Sequence, residues 1–183
     1  MKRPTHKFVL LLSFTLAGIG ADAQYLAEHR SPSSIPVEDL YAAGERAYRA
    51  GDRAEAIAYF DQVIAKDPEH INAYLQRGFC HSLLKHYSLA VKDFSAVIER
   101  KAEHTWAYTS RGSAYSKMDL HELAIADFSK AIELDPTNQE AYNNRGWSHK
   151  AQGDPDAACA DWRASKRMGN DEARIILKNN ACK

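Results

Sequence analysis

Three cysteines and the histidines near them are the side chains of this sequence that could take part in covalent, redox or metal chemistry. Cys80 is followed directly by His81, which are the residue types of a thiol nucleophile and its general base. Adjacent positions of a helix point in different directions, so a helix here would not place the two side chains next to each other. A redox or nucleophilic role would also need an exposed, electropositive thiol. We therefore interpret Cys80 as a buried thiol and His81 as a packing residue.

A metal site would need several cysteine, histidine or carboxylate ligands around one point. The histidines do not form close-spaced ligand pairs, and His70 and His104 are 34 residues apart. The sequence contains no glycine-rich phosphate loop, nucleophile elbow or HExxH motif. It therefore predicts a protein that is not an enzyme and that has no metal site and no cofactor.

The same spacing of 34 residues separates four glycines, Gly44, Gly78, Gly112 and Gly146. A fixed period of this length is typical of repeat proteins whose units are pairs of helices. Each glycine is followed at a constant distance by an alanine and, four residues later, an aromatic residue: Ala56 and Phe60, Ala90 and Phe94, Ala124 and Phe128, Ala158 and Trp162. Three units also carry a tyrosine and an arginine before the glycine: Tyr74 and Arg77, Tyr108 and Arg111, Tyr142 and Arg145.

On these residues the sequence resembles the tetratricopeptide repeat family over residues 37 to about 172. The resemblance implies an all-α fold, a right-handed α-solenoid of helix-turn-helix units in which each unit buries its apolar face against its neighbour. The expected units are 37–70, 71–104, 105–138 and 139–172, followed by a C-terminal capping helix over 173–183.

Short polar residues in the turns predict where the second helix of a unit begins. The predicted caps are Asp52 with Glu55, Asp119 with Glu122, and Asp154 ahead of Pro155. An Asp-Pro pair predicts where that helix ends, at Asp67-Pro68 and Asp135-Pro136. The second unit has Ala102 at the proline position and lacks this signal.

Three units carry an arginine before the glycine and an aspartate sixteen residues later on the expected partner helix: Arg77 and Asp93, Arg111 and Asp127, Arg145 and Asp161. In the first unit both positions change together, to Ala43 and Tyr59. Their joint loss predicts a partly buried ion pair between the two helices of a unit. The alternative interpretation is a ladder of arginines that binds anions.

The repeat register also suggests a partner for two cysteines. Cys182 falls two residues after the expected glycine position, where inner units pack a small residue against the preceding helix. Cys159 lies midway along that preceding helix, so antiparallel packing predicts a Cys159–Cys182 disulfide that fixes the capping helix. Ile175, Ile176 and Leu177 would cover the apolar side of the last unit. This C-terminal stretch also resembles the ending of other exported bacterial tetratricopeptide repeat proteins; the alternative is two free thiols.

The first residues have the pattern of a secretory signal peptide over 1–23. Basic residues precede an apolar stretch, 8–19, and a small-x-small site, 21–23, with cleavage expected before Gln24. The alternative is an uncleaved membrane anchor, which needs about 20 apolar residues. We expect an exported protein, periplasmic or secreted, without membrane insertion after cleavage, and a flexible proline-rich linker over 24–36.

In the tetratricopeptide repeat family the first helices line a concave groove that holds peptides or helices. The residues that the register places there, and that we predict to bind a peptide or protein, are Tyr41, Leu75, Phe79, Trp106, Asn143, Asn144 and Trp147. Aromatic anchors among polar side chains are the usual composition of a binding hot spot. The alternative is that some of these rings pack between units.

The expected function is a non-catalytic scaffold or adaptor that binds a peptide or protein segment in this groove, in the cell envelope. Some co-chaperones of the family clamp a C-terminal carboxylate with lysine and asparagine, but the matching positions here are Tyr41 and Glu45. The sequence has 24 basic and 24 acidic residues, and the basic residues form no run of lysine or arginine. This argues against nucleic acid as a partner. Alternatives are a structural subunit that forms homo-oligomers or joins an envelope assembly, and a metal or redox carrier.

Overall fold

A computed structural model of the chain describes residues 35–182. The predicted signal peptide, 1–23, lies outside the described residues, as does all but the end of the predicted linker, 24–36. Residues 35–182 form nine α-helices and no strand, which confirms the all-α prediction. None of these helices is both long enough and apolar enough to cross a lipid bilayer.

Eight helices of the described region form four pairs, and each helix packs mainly against the next one in the chain. Such nearest-neighbour packing is the organisation of a solenoid. In chain order the helices are α1 (Val37–Ala50), α2 (Arg53–Lys66), α3 (Ile71–Leu83), α4 (Tyr87–Arg100), α5 (Thr105–Lys117), α6 (His121–Leu134), α7 (Gln139–Ala151), α8 (Pro155–Arg167) and α9 (Glu172–Asn179). The first helix of each pair is α1, α3, α5 or α7, and the second is α2, α4, α6 or α8.

The turn inside each pair has a residue with positive φ at the same position of the repeat: Gly51 (92°), Lys85 (62°), Asp119 (59°) and Gly153 (81°). The residue after it is the N-cap of the second helix. The cap at Asp52 is confirmed, because its carboxylate accepts the N–H of Glu55 at 3.0 Å. The cap at Asp154 is confirmed as well, since it accepts the N–H of Ala157 at 2.9 Å. The predicted cap at Asp119 is wrong: Asp119 occupies the left-handed turn position, and Leu120 is the N-cap.

The second helices end where the Asp-Pro pairs predict, α2 at Lys66 and α6 at Leu134. The helix α4 ends at the equivalent residue, Arg100, although Ala102 replaces the proline. Proline is therefore not required for this boundary.

Three first helices begin with side-chain caps that were not predicted. Nδ1 of His70 accepts the N–H of Ala73 at 3.1 Å, and Nδ1 of His104 accepts that of Ala107 at 3.2 Å. Asn138 caps α7 in the same way. A histidine can accept this bond only when Nδ1 carries no proton, and burial lowers the pKa of His104, which favours that form.

The repeated glycines lie where a first helix crosses an aromatic ring of its partner helix. A Cβ added to Gly78 would lie 2.7 Å from the Phe94 ring, and one added to Gly146 would lie 2.6 Å from Nε1 of Trp162. All four rings at this position of the repeat are buried: Phe60, Phe94, Phe128 and Trp162. The glycine period therefore reflects a close contact between helices that leaves no room for a side chain.

The predicted ion pairs within units are confirmed. Arg111 donates from Nε and Nη2 to the two carboxylate oxygens of Asp127, each at 2.8 Å. The same two-point geometry joins Arg77 to Asp93 and Arg145 to Asp161. Because each arginine already has an anion of its own, the alternative of an anion-binding ladder loses its physical basis.

The third nitrogen of each arginine connects its unit to the preceding one. Nη1 donates to a side chain of the preceding second helix: Arg77 to Asp61 (2.5 Å), Arg111 to Ser95 (2.9 Å) and Arg145 to Ser129 (2.9 Å). Each acceptor lies sixteen residues before its arginine. One guanidinium thus holds together three helices from two units.

The C-terminal helix is shorter than predicted. The helix α9 ends at Asn179, and Ala181 has a φ of 51°, so the chain turns before it reaches Cys182. The structure joins Cys159 to Cys182 by a disulfide, with their Cα atoms 5.6 Å apart. This pairing is the predicted one, but Cys182 reaches its partner from a turn and not from a helix.

The predicted apolar cover of the last unit is only partly present. Ile176 and Leu177 pack against the buried cluster around Trp162. Ile175, however, is 63% exposed, so the prediction that it covers the last unit is wrong. Consecutive residues of a helix point in different directions, and α9 can turn only one side toward α8.

Candidate functional site: the concave face

The first helices line the inner face of the stack. Each of α1, α3 and α5 contacts the first helix of the following unit, whereas the second helices of the described units have no comparable contacts with one another. Helices that approach on one side curve the stack toward that side. The seven predicted binding residues all belong to these first helices, α1, α3, α5 and α7, and their surroundings differ.

Trp147, on α7, is held from behind and open in front. The residue is 41% exposed, and its ring lies 5.0 Å from the buried ring of Trp162 in an edge-to-face arrangement. Nζ of Lys150 lies 5.3 Å from the centroid of the Trp147 ring. Trp147 faces a cavity of about 220 Å³ whose polar lining is Ser113, Ser116, Lys117 and Asn144. The indole is thus already positioned before any partner arrives.

Trp106, near the start of α5, is more exposed, at 64%. It lines a cavity of about 510 Å³ between two of the connections that join units. The charged lining residues of this cavity are Lys101, Glu103, Asp135 and Glu140. The two tryptophans therefore face different cavities. Acidic side chains outnumber basic ones in the lining of the Trp106 cavity, whereas the charged residue in the lining of the Trp147 cavity is Lys117.

Tyr41, Leu75 and Phe79 are half-buried and fill the seams between helices. The Tyr41 ring lies 4.9 Å from that of His70, and burial raises the pKa of its phenol. The Phe79 ring lies 5.4 Å from that of Phe94. These residues thus pack between helices, the alternative that the sequence left open, and only part of their surface belongs to the concave face.

The two predicted asparagines have different surroundings. Asn144 reaches from α7 toward α5, with Nδ2 3.4 Å from Oγ of Ser113, and lines the same cavity as Trp147. The backbone carbonyl of Asn143 accepts Nε1–H of Trp162 at 3.3 Å. Its side-chain Oδ1 is buried and has no hydrogen-bond partner among the described residues. The structure therefore brings Asn144 and Trp147 together, but not Asn143.

Cys80 and His81 do not form a nucleophilic pair. Cys80 is buried, and burial raises its thiol pKa to about 11, so the thiol stays protonated at neutral pH. Burial lowers the pKa of His81, whose Nε2 lies 4.0 Å from Asp93. Within residues 35–182, no group of three or more histidine, cysteine or carboxylate side chains is arranged to hold a metal ion.

Three segments of the chain match sequence profiles described as tetratricopeptide repeat: 37–70, 105–138 and 128–160. They lie in the first unit and from the third unit into the fourth. No curated protein matches the sequence significantly.

Several solved structures have a similar fold. MamA from Desulfovibrio magneticus RS-1, residue 41 to its end, has a TM-score of 0.72 and 23% identity over 82% of this chain and 94% of its own. A MamA RS-1 double mutant has a TM-score of 0.72 and 23% identity over 83% of this chain and 93% of its own. The first tetratricopeptide repeat domain of Spaghetti (RPAP3), bound to the HSP90 peptide SRMEEVD, has a TM-score of 0.62 and 26% identity over 64% of this chain and 93% of its own.

Proposed function

We propose that this chain, a tetratricopeptide repeat protein, is a non-catalytic scaffold whose concave face binds a peptide or an extended segment of another protein. One observation carries the proposal: two indoles on first helices, Trp106 of α5 and Trp147 of α7, are exposed. Tryptophan is among the residues most enriched at binding hot spots, because it contributes a large apolar area with little loss of conformational freedom.

The surroundings of Trp147 suit an extended guest. Ser113, Ser116 and Asn144 offer short hydroxyl and amide groups that can pair with the N–H and C=O groups of a peptide backbone. The indole is already held by Trp162 and Lys150, so it loses little conformational entropy when a peptide, the guest, binds. Each 100 Å² of apolar surface covered on binding contributes about 2.5 kcal/mol to the binding free energy before the entropy lost on association is subtracted.

The Spaghetti domain supports binding of peptides by this fold, since its structure holds an HSP90 peptide. The mode of binding proposed here differs from the carboxylate clamp of some co-chaperones. Tyr41 and Glu45 stand at the clamp positions of the first helix, and Tyr41 is engaged with His70. The guest is held through the faces of α5 and α7 instead.

We further propose that the protein works outside the cytoplasm, in the periplasm or as a secreted protein. The signal-peptide pattern over 1–23 supports export. The disulfide between Cys159 and Cys182 supports it independently, because such bonds persist in oxidising compartments. N-terminal sequencing of the protein from separated envelope and cytoplasmic fractions tests cleavage and export. A mature protein that begins at Gln24 is expected outside the cytoplasm, and a protein that retains Met1 in the cytoplasm contradicts the proposal.

Self-association is the second candidate function. The observation that favours it is that two large apolar side chains near the C-terminal end of the stack, Met168 and Ile175, are exposed and available to a second copy. A concentration series by light scattering distinguishes the two candidates, since self-association needs no guest. A monomer at all concentrations would leave the scaffold as the remaining proposal.

Site-specific cross-linking tests the scaffold. A photoreactive amino acid at Ser116, beside Trp147, is expected to capture a small set of envelope proteins. The double variant Trp106→Ala/Trp147→Ala should reduce this capture at least about tenfold, which corresponds to about 1.4 kcal/mol. The matched control is the same photoreactive group at Leu123, an exposed position of the second helix α6. Equal capture at both positions, or capture unchanged by the double variant, contradicts the proposal.

A further inference from the structure

The cavity at Trp106 has a counterpart one repeat earlier, and the two differ in a way that indicates a ligand. The earlier cavity, of about 360 Å³, is lined by residues 34 positions before those of the Trp106 cavity. Asn72 stands there in place of Trp106, and Lys101 stands in place of Asp135. The residue equivalent to Glu140 is Trp106, so the earlier cavity keeps only one of the three carboxylates, at Glu69, and has no indole in its lining.

Next to the earlier cavity the chain supplies an arginine of its own, which contacts the lining residue Glu69. Nη2 of Arg100 lies 3.3 Å from Oε1 of Glu69, and its Nε donates to the carbonyl of Pro68 at 3.1 Å. The Arg100 guanidinium also lies 4.7 Å from the centroid of the Tyr74 ring. An arginine held between a carboxylate, a carbonyl and an aromatic ring is thus part of this fold already.

One repeat later that arginine is missing. The residue equivalent to Arg100 is Leu134, and the residue equivalent to Glu69 is Glu103. Among the described residues, no ion pair includes Glu103, Asp135 or Glu140. Three carboxylates therefore face the Trp106 cavity. The basic side chains near them are Lys101, which lines the cavity, and Lys130, which is paired with Glu133 and also interacts with Glu103.

The positive charge that helix N-termini would add to this cavity, against its carboxylates, is weak. The N-termini of α5 and α7 border it, and free N–H groups there would favour an anion. His104 and Asn138 already cap these helices, each accepting an N–H of the first turn. Hydrogen bonds from Thr137 lower the pKa of Asp135, so that carboxylate remains charged at neutral pH. The cavity thus has a net negative field next to an exposed aromatic face.

We propose that the Trp106 cavity binds an arginine side chain of the guest, stacked on the indole and paired with Glu103 and Glu140. This proposal rests on the proposed function and adds the chemistry of the guest to it. A guanidinium suits the site because it stacks on aromatic rings and forms two-point bonds with carboxylates. Of the contacts that Arg100 makes one repeat earlier, the pose repeats the one to the carboxylate, at Glu103 in place of Glu69. The aromatic partner differs, because the equivalent of Tyr74 is Tyr108 and not Trp106.

Selection from a displayed library of random twelve-residue peptides tests the proposal, with the purified full chain as bait. Peptides selected by the wild type are expected to be enriched in arginine. The variant Glu103→Gln/Glu140→Gln should select peptides without that enrichment. The control variant Glu99→Gln/Glu122→Gln changes the net charge equally on exposed parts of second helices and should select the same peptides as the wild type.

Each outcome of the selection decides a different question. Peptides enriched without arginine, or arginine enrichment retained by Glu103→Gln/Glu140→Gln, overturn the arginine site and leave the scaffold intact. If the wild type enriches no peptide at all, the scaffold itself fails, and the arginine site with it.

A single selected peptide then measures the charge directly. Replacing its arginine with citrulline keeps the shape and removes the charge. The wild type is expected to bind the citrulline peptide about tenfold more weakly, an effect between those of an exposed and a desolvated cation–aromatic contact. The Glu103→Gln/Glu140→Gln variant should bind both peptides with similar affinity. Equal affinity of the wild type for both peptides would overturn the proposal.

Discussion

The guanidinium of Arg111 and the carboxylate of Asp127 are joined by two hydrogen bonds of 2.8 Å between α5 and α6. The same guanidinium reaches Ser95 of the preceding unit at 2.9 Å. Asp127 is buried, so its charge is compensated almost entirely by this arginine. A buried ion pair of this kind stabilises little as a pair, but the loss of one partner leaves an unpaired charge in the interior.

Removal of one partner of this pair should therefore cost more than replacement of both. Asp127→Asn is expected to lower the free energy of unfolding by about 3–5 kcal/mol, while Arg111→Met/Asp127→Leu should cost clearly less. Urea unfolding followed by circular dichroism measures both. Ser95→Ala is the control, because it removes only the contact to the preceding unit and should cost about 1 kcal/mol. A double variant less stable than Asp127→Asn would contradict this account.

Gly146→Ala should destabilise the fold even though alanine favours a helix by about 1 kcal/mol over glycine. A Cβ at this position would lie 2.6 Å from Nε1 of Trp162, and that ring is buried and cannot move aside. Overpacking of this kind costs about 1–3 kcal/mol. Thermal unfolding measures the change, and fluorescence of the tryptophans should shift at the same time. A stabilised variant would show that the ring adjusts freely.

Cys159→Ser/Cys182→Ser should lower the free energy of unfolding by about 3 kcal/mol, on a loop-entropy estimate for the 23-residue separation. Hydrogen exchange over α9 should rise most, because a helix of eight residues is not stable alone. A reducing agent should destabilise the wild type but leave the double serine variant unchanged. Equal sensitivity of the two proteins to the reducing agent would contradict the prediction.

The stability of the fold should fall in mild acid, and His81 should account for part of the loss. Burial keeps the pKa of His81 in the folded state below its ordinary value of about 6.5. The unfolded chain then binds more protons as the pH falls through that value, so stability is present above it and declines below it. Asp93, Arg77, His86 and Asp61 are the charged and titratable groups around His81.

The variant His81→Tyr isolates this contribution, because Tyr115 is the natural residue at the equivalent position of the third unit. Urea midpoints at about pH 7.5 and about pH 5 are compared, and the wild type should lose more stability than the variant. His104, whose pKa burial also lowers, remains in both proteins and sets the common background. The same loss in both proteins would exclude His81 as a source of the pH dependence.

The sequence predicts the units of this fold well because each unit repeats the same contacts. A glycine and an aromatic residue, such as Gly78 and Phe94, recur at a fixed distance because the helix crossing leaves no room for a side chain at the glycine. An arginine and an aspartate, such as Arg111 and Asp127, recur because they form an ion pair. The cap at Asp119 was misplaced by one residue for a physical reason. Positive φ recurs at that position of every unit, and Gly51 and Gly153, which tolerate it, are the signal in the sequence that would have corrected the prediction.

Features without a repeat were harder to predict. The helix α9 has no following unit, so its end and the exposure of Ile175 depend on a single packing arrangement that periodicity does not describe. The division of the aromatic residues is similar. Phe79 and Trp147 share one register position, yet Phe79 is half-buried while Trp147 is exposed. Phe79 packs against a cluster that includes Ala114 of the following unit, whereas Trp147 belongs to the last unit. Register alone gives the face of a helix and not the depth of a side chain.

The hydrogen bonds by which Arg77, Arg111 and Arg145 contact the preceding unit determine how the array of repeats can be lengthened. Asp61, Ser95 and Ser129 all serve as the acceptor, so a duplicated inner unit would find a compatible neighbour on both sides. A unit fused ahead of the first would meet Ala43, which has no guanidinium to offer it. The array is thus modular in its interior and closed at its first unit, which makes insertion between units the natural route to a longer version.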